Sequence, residues 1–231
     1  MDSQGIEKIF RKLNPDYRPR HVIYNQLLSD YINRETIWLD IGCGRNELIA
    51  EFGQKAKIAI GIDKLILPES TDAPFIQANM RNIPLQNDYA DLITLRMVIE
   101  HMERIPEDFL EINRLLKRNG RLIFLTTNIM SPVIFIPRLL PRSLKNWLIL
   151  KVFKAADEDV FPTHHKFNSP RAIKKGIYNL RPINIKYLEI VPNARPLLIL
   201  FFGIWYFIVK HSTLRYLRSN ILGVFEKDVK H

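Results

Sequence analysis

The sequence predicts a doubly wound α/β fold, a parallel sheet covered by helices on both faces, and three observations predict it. Short β-rich runs alternate with helical patterns through the first two thirds of the chain. The runs are apolar at consecutive positions, as strands buried on both faces are. Two glycines also sit in the turn between the first run and the next helix, at the sheet edge where such folds bind ligands.

Taken in order, Ile23, Leu27 and Tyr31 recur every four residues and predict a helix over 20–33, and the apolar run 36–41 makes the first strand. A second helix begins near Asn46 and ends by Gly53. Residues 57–63 (KIAIGID), 75–78 and 91–95 follow as strands two to four. The helix over 106–118 is marked at both ends. Pro106 opens it, Glu107 and Asp108 suit the positive end of its dipole, and Phe109, Ile112 and Leu116 form an apolar face; Lys117, Arg118 and Gly120 close it. Strand five spans 121–126. Ser169 and Pro170 cap a helix through Tyr178, and 183–190 and 220–227 supply the last two strands.

Composition sets the outer bounds. With 231 residues, 47% hydrophobic and 25% charged, the chain is globular with a real core. At about 150 residues per domain that length implies one domain, 1–231, carrying extra segments. The formal charge of +10 favours anionic partners: nucleic acid, phosphorylated metabolites or a membrane surface. Cys43 is the only cysteine, which excludes intrachain disulfides and cysteine-based metal sites. Residues 1–7 lack the basic start and apolar core of a secretion signal, so a reducing, cytoplasmic setting is expected.

Two segments interrupt the pattern. The first, 128–168, is a proline-punctuated insertion or lid in which Arg138, Arg142, Lys145, Lys151 and Lys154 stand among aliphatics and Trp147, the pairing expected of a surface lying on an anionic membrane. The second, 191–217, is a helical insertion before the last strand, built around the apolar run 197–209 (LLILFFGIWYFIV). As a helix that run is roughly 20 Å long, against a hydrocarbon core of about 30 Å, so it does not span a bilayer comfortably. Apolar on every face, it needs burial in the protein's own core, an oligomer interface or lipid.

Chemistry concentrates at 38–46, Trp-Leu-Asp-Ile-Gly-Cys-Gly-Arg-Asn. Gly42 and Gly44 let a ligand approach the backbone closely, and Asp63 ends the next strand about twenty residues later, where an acid accepts both hydroxyls of a ribose. Together they imply an adenosine-containing ligand, the alternative being that Gly42 and Gly44 only make a tight turn and Asp63 only caps a loop. A nicotinamide dinucleotide fits less well, because Arg45, Asn46 and Glu47 stand where its longer glycine spacing continues.

The segment Leu39-Asp40-Ile41-Gly42-Cys43-Gly44 closely resembles the first motif of class I S-adenosylmethionine-dependent methyltransferases. The likeness continues in order through Gly61-Ile62-Asp63, then Gln77-Ala78-Asn79-Met80 with Ile83-Pro84-Leu85. It goes on with Asp91-Leu92-Ile93 to Val98-Ile99-Glu100-His101, and ends with the junction at 115–122, so that it covers 36–127. The subgroup most resembled acts on quinones, lipids and other small metabolites. The resemblance implies a seven-stranded, mostly parallel Rossmann-like sheet with helical insertions and S-adenosylmethionine as cofactor. It places Asp40, Gly42, Cys43 and Gly44 at the methionine end, Asp63 on the ribose, Asn79 and Met80 beside the adenine, and Arg96 near the reacting centre. Three positions depart from the family pattern. Asn46 replaces a third glycine but tolerates positive φ; Asn79 replaces an aspartate and keeps an acceptor oxygen; Arg96 is charged where an uncharged residue is usual.

For chemistry, His101 follows the fourth strand and is the candidate base, since imidazole titrates near neutral pH; capping or packing is its alternative role. Glu100 is read as orienting it or binding acceptor; the resemblance implies a loop at His164 and His165 brought over the substrate, with an exposed loop pair as the alternative. No metal set is expected. Methyl transfer to oxygen of a lipid-like, quinone or glycan-linked acceptor at a membrane face is the first reading. An RNA methyltransferase and a catalytically silent cofactor-binding protein are the alternatives. The cations accompany bulky aliphatics rather than stacking aromatics, which argues against RNA.

Overall fold

Strands β1 (Ile37–Ile41), β2 (Ile58–Asp63), β3 (Phe75–Gln77), β4 (Ala90–Arg96), β5 (Leu116–Thr127), β6 (Leu180–Leu188) and β7 (Asn220–Lys227) form one sheet in the order β3-β2-β1-β4-β5-β7-β6. The structure is a computed structural model describing residues 5, 8, 10–12, 14–66, 72–139, 141, 163–175, 179–190, 196–210 and 213–228. The pairs β1–β2, β1–β4, β2–β3 and β4–β5 are parallel, and β7 runs antiparallel. This is the predicted α/β Rossmann-like methyltransferase sheet. The strand order reverses between β1 and β4, and in an open parallel sheet ligands bind at the carboxyl ends flanking such a reversal.

The helices are α1 (Arg20–Tyr31), α2 (Glu47–Phe52), α3 (Ile105–Leu115), α4 (Pro132–Leu139), α5 (Pro170–Lys175) and α6 (Pro196–Lys210). By contacts the described residues fall into two units, a sheet unit within 24–126, 163–186 and 221–231, and a helical unit within 1–23, 127–162 and 187–220. In the sheet unit Leu39, Ile62, Ile93, Leu95, Ile123 and Phe124 are all fully buried, the core that consecutive apolar strand positions foretold. In the helical unit Phe10, Tyr17 and Tyr206 pack ring on ring at 4.7–5.6 Å.

Several boundaries differ from expectation for physical reasons. The helix at 106–118 ends at Leu115, because the N–H groups of Asp88 and Tyr89 take the carbonyls of Arg114 and Leu115 at 2.8 Å, and Leu116 pairs with Ala90. Lys117 therefore caps no helix. It lies in an early-starting β5, with its ammonium 2.8 Å from Asp91. On α1 the buried face is Tyr24, Leu27 and Leu28, with Ile23 and Tyr31 at its edges. β6 begins at Leu180 and so includes Pro182, which an edge strand tolerates because no partner needs its missing N–H. The Ser169 cap is present, its hydroxyl accepting from Ala172 N at 3.2 Å, while the end of that predicted helix, 176–178, lies outside the described residues. So do Arg142, Lys145, Trp147, Lys151 and Lys154 of the basic insertion.

Candidate active site

The parallel register sets the floor of the site. Asp40 stands level with Gly61 on β2 and Thr94 on β4, so the Thr94 hydroxyl donates to Asp40 Oδ1 at 2.5 Å while accepting from Trp38 Nε1 at 2.8 Å. All three side chains are buried to 1% exposure or less. Burial pushes the Asp40 carboxyl up to about 6, opposed by the Thr94 hydrogen bond and by Arg96. Burial, with Asp40 next, likewise raises the Tyr24 phenol.

Above that floor the chain turns at Gly42 (φ +73), Gly44 (φ +58) and Asn46 (φ 62), three left-handed residues in five. Asn46 takes the conformation expected of it, and its side-chain amide ties down the β3 approach by donating to the carbonyls of Ala73 and Pro74 at 3.0 and 3.2 Å. The space its side chain occupies exists only because residue 61 is glycine. A Cβ there would collide with the Asn46 amide and stand 2.9 Å from Cys43 Sγ. Gly42 is constrained from the other side, since a Cβ would strike the Val98 side chain after β4. Gly42 and Gly44 remain half-exposed, whereas Cys43 is buried at 5% with its thiol pushed up to about 12 by desolvation, a packing residue and not a nucleophile.

Asp63 closes the turn. Its Oδ2 accepts from Gly44 N at 3.0 Å and Oδ1 from Leu65 N at 3.1 Å, fixing a half-exposed carboxylate at the end of β2. Ala78 N donates to the Asp63 carbonyl at 2.9 Å, which brings Asn79 and Met80 to the same edge. There the Asn79 side-chain oxygen caps a turn by accepting from Arg81 N at 3.0 Å. Arg96 reaches to 3.6 Å from Glu47 in the first turn of α2, spanning the edge of β1. Downstream, Ile83 N donates to Glu111, and Arg114 donates to the carbonyls of Ile83 and Leu85 at 3.0 and 2.7 Å, so α3 holds the loop that follows Met80.

A second group gathers after β4. His101, half-buried, ends the helical turn Ile99–His101. The carbonyl of Glu100 accepts from His164 N at 2.7 Å and His165 N at 3.1 Å, and His164 Nε2 lies 3.1 Å from Glu103. Under them the buried Glu100 carboxylate accepts from the Thr126 hydroxyl at 2.8 Å, and Thr126 accepts in turn from Asn168 Nδ2 at 2.5 Å. The 164–165 loop, read apart from Glu100 and His101 in the sequence, thus docks on the carbonyl of Glu100. The Glu100–Thr126–Asn168 network beneath them was not foreseen, because Thr126 and Asn168 carry no motif and meet only once β5 and the loop before α5 come together.

A methyltransferase domain family matches residues 11–176. The chain belongs to that family. It is a class I S-adenosylmethionine-dependent methyltransferase domain, with S-adenosylmethionine as cofactor. The YcgJ protein of Bacillus subtilis shares the fold at TM-score 0.57 and 18% identity, covering 91% of this chain and 99% of that one. A methyltransferase from Archaeoglobus fulgidus does so at TM-score 0.53 and 17% identity, covering 96% and 94%. An uncharacterized protein of Methanocaldococcus jannaschii is 25% identical over 136 residues, 55% of this chain; the chain spans about half, 54%, of that relative's length.

The residues of this methyltransferase fit the cofactor. The left-handed turn presents half-exposed backbone at Gly42 and Gly44, and each Asp63 oxygen that accepts one backbone N–H keeps a second lone pair for a ribose hydroxyl. Among the described residues no group of three or more His, Cys, Asp or Glu is arranged to hold a metal ion.

Proposed function

We propose that this domain transfers the methyl group to an oxygen of a small-molecule acceptor, lipid-like, quinone or glycan-linked, met at the cytoplasmic face of a membrane. Asp40, Gly42, Cys43, Gly44, Asp63, Asn79, Met80 and Arg96 are assigned to the cofactor, Glu100, His164 and His165 to the acceptor, and His101 to the acceptor's proton. The observation that carries the reading is the docking of the His164–His165 backbone on the Glu100 carbonyl, one residue before His101. That contact brings the 164–165 backbone against the turn that carries His101, two residues beyond the Val98 side chain that packs on Gly42.

S-adenosylmethionine supplies an electrophilic methyl carbon whose sulfonium charge vanishes on transfer. The protein's task is therefore to align the acceptor at about 3–3.5 Å, exclude water and remove one proton. His101 accepts the acceptor's hydroxyl proton as the oxygen attacks, and the buried Glu100–Thr126–Asn168 network fixes the turn that carries it. Arg96 suits an acceptor bearing negative charge. No helix among the described residues is long and apolar enough to cross a membrane, so the acceptor is proposed to be met at the surface.

The test is labelled cofactor incubated with lipid, aqueous and RNA extracts. Label is expected in the lipid or aqueous fraction, and label in RNA overturns the acceptor class. His101→Gln is expected to lower kcat by about 10²–10⁴ with KM unchanged, and an unaltered kcat removes His101 from catalysis.

A further inference from the structure

The geometry points to the outer face of α6 as a docking surface for an anionic lipid bilayer. At 100° per residue Phe201, Ile204, Phe207 and Ile208 fall on one side of the helix. They are exposed at 62%, 55%, 64% and 48%, while Phe202, Tyr206 and Val209 on the other side are buried at 8% or less. A helix that needed only the protein's own core would carry polar residues on its outer side. From Phe201 to Ile208 the exposed side of this one carries none, and the half-buried Trp205 is an amphipathic ring suited to a membrane boundary. The turn that follows, Thr213–Leu217, continues the surface with Leu214, Arg215 and Tyr216 exposed.

Charge selects the partner. The described residues of the helical unit include nine Lys and Arg against two acids. Its described acids are Asp16, paired with Lys210 at 2.7 Å, and Glu189, buried at 3%. Its exposed described cations are Lys8, Arg11, Lys12, Arg18 and Arg215. An exposed apolar helix face on a unit of net positive charge fits anionic headgroups over acyl chains. A second copy of the chain would set the same positive surface against itself. With fifteen residues, α6 would lie in the plane of the bilayer. The inference deepens the proposed membrane-met acceptor and rests on it for its purpose, though not for its test.

The test is flotation of the full chain with vesicles of phosphatidylcholine alone or mixed with phosphatidylglycerol, at low and high salt, comparing the parent with Phe201→Ser/Phe207→Ser. Binding is expected with phosphatidylglycerol, weakened by salt, and weaker by about tenfold or more in the double variant. Calorimetric uptake of S-adenosylmethionine should be the same in both, which shows the variant folded. Binding to neither vesicle overturns the inference, as does equal binding by the two proteins, or a stable parent dimer that the double variant dissociates. Vesicle binding without cofactor uptake would support the docking face while sinking the proposed enzyme reading.

Discussion

Asp40 offers a quantitative prediction. Its carboxyl titrates at about 6 in the folded protein, against about 3.9 for an ordinary aspartate. A raised carboxyl means that this group contributes most stability when protonated, below about pH 4, and that the contribution is lost as pH rises through 6. At pH 7.5 the ionised form costs the folded state about 3 kcal/mol at 1.36 kcal/mol per pH unit. Asp40→Asn keeps an oxygen to accept from Thr94 and removes the charge. Without cofactor, the variant should gain on the parent by about 3 kcal/mol between pH 4 and 7.5, or about 6–12 °C in Tm for a chain of this size. Differential scanning fluorimetry across that range reads the gap between the two curves, which cancels every other titrating group. Curves that stay parallel from pH 4 to 7.5 would refute the reasoning, and with it the picture of a carboxylate buried at strain beneath the cofactor turn.

Other outcomes follow from the same coordinates. Glu189, pushed by burial to about 7, should make Glu189→Gln gain on the parent as pH rises from 5 to 8, measured by urea midpoints. Gly42→Ala must place a Cβ at φ +73 against Val98 and is expected to cost about 2–4 kcal/mol and weaken cofactor uptake at least tenfold in calorimetry. Asp63→Ala should weaken that uptake by about 10–100-fold with little change in fold, since it removes acceptors from the sheet edge; undiminished uptake would dismiss the ribose assignment. Thr126→Val takes the hydroxyl from between Glu100 and Asn168 and should cost about 1–3 kcal/mol, with faster amide exchange at His164 and His165.

Periodicity and turn chemistry made the parallel strands and the glycine turn legible, because each is a local pattern enforced by a few residues. Asn46 shows how far this reached: its tolerance of positive φ is a property of the residue itself, and it adopts φ 62. What stayed hidden was set across the sheet. Leu116 has the spacing of a helix face, yet pairing with Ala90 draws it into β5. Pro182 is harmless at an edge whose position only the strand order reveals. At the site, Gly42, Gly44 and Asp63 announced themselves by spacing, whereas Thr94 matters because register brings it level with Asp40. Glu100, His101, His164 and His165 were each noticed, but the docking of His164 and His165 on the Glu100 carbonyl joins segments some sixty residues apart in the chain.

The fit of Asn46 over Gly61 sets an order on the substitutions open to this turn. A chain with glycine at 46 has room for a small side chain at 61 only if Cys43 Sγ, 2.9 Å from such a Cβ, also gives way, and that side chain must be lost before asparagine can enter. Reversal obeys the same order: glycine must return at 46 before any carbon is added at 61. The two positions are therefore expected to vary together among related chains, and of the two single-step routes between the pairs only one passes through an unobstructed intermediate.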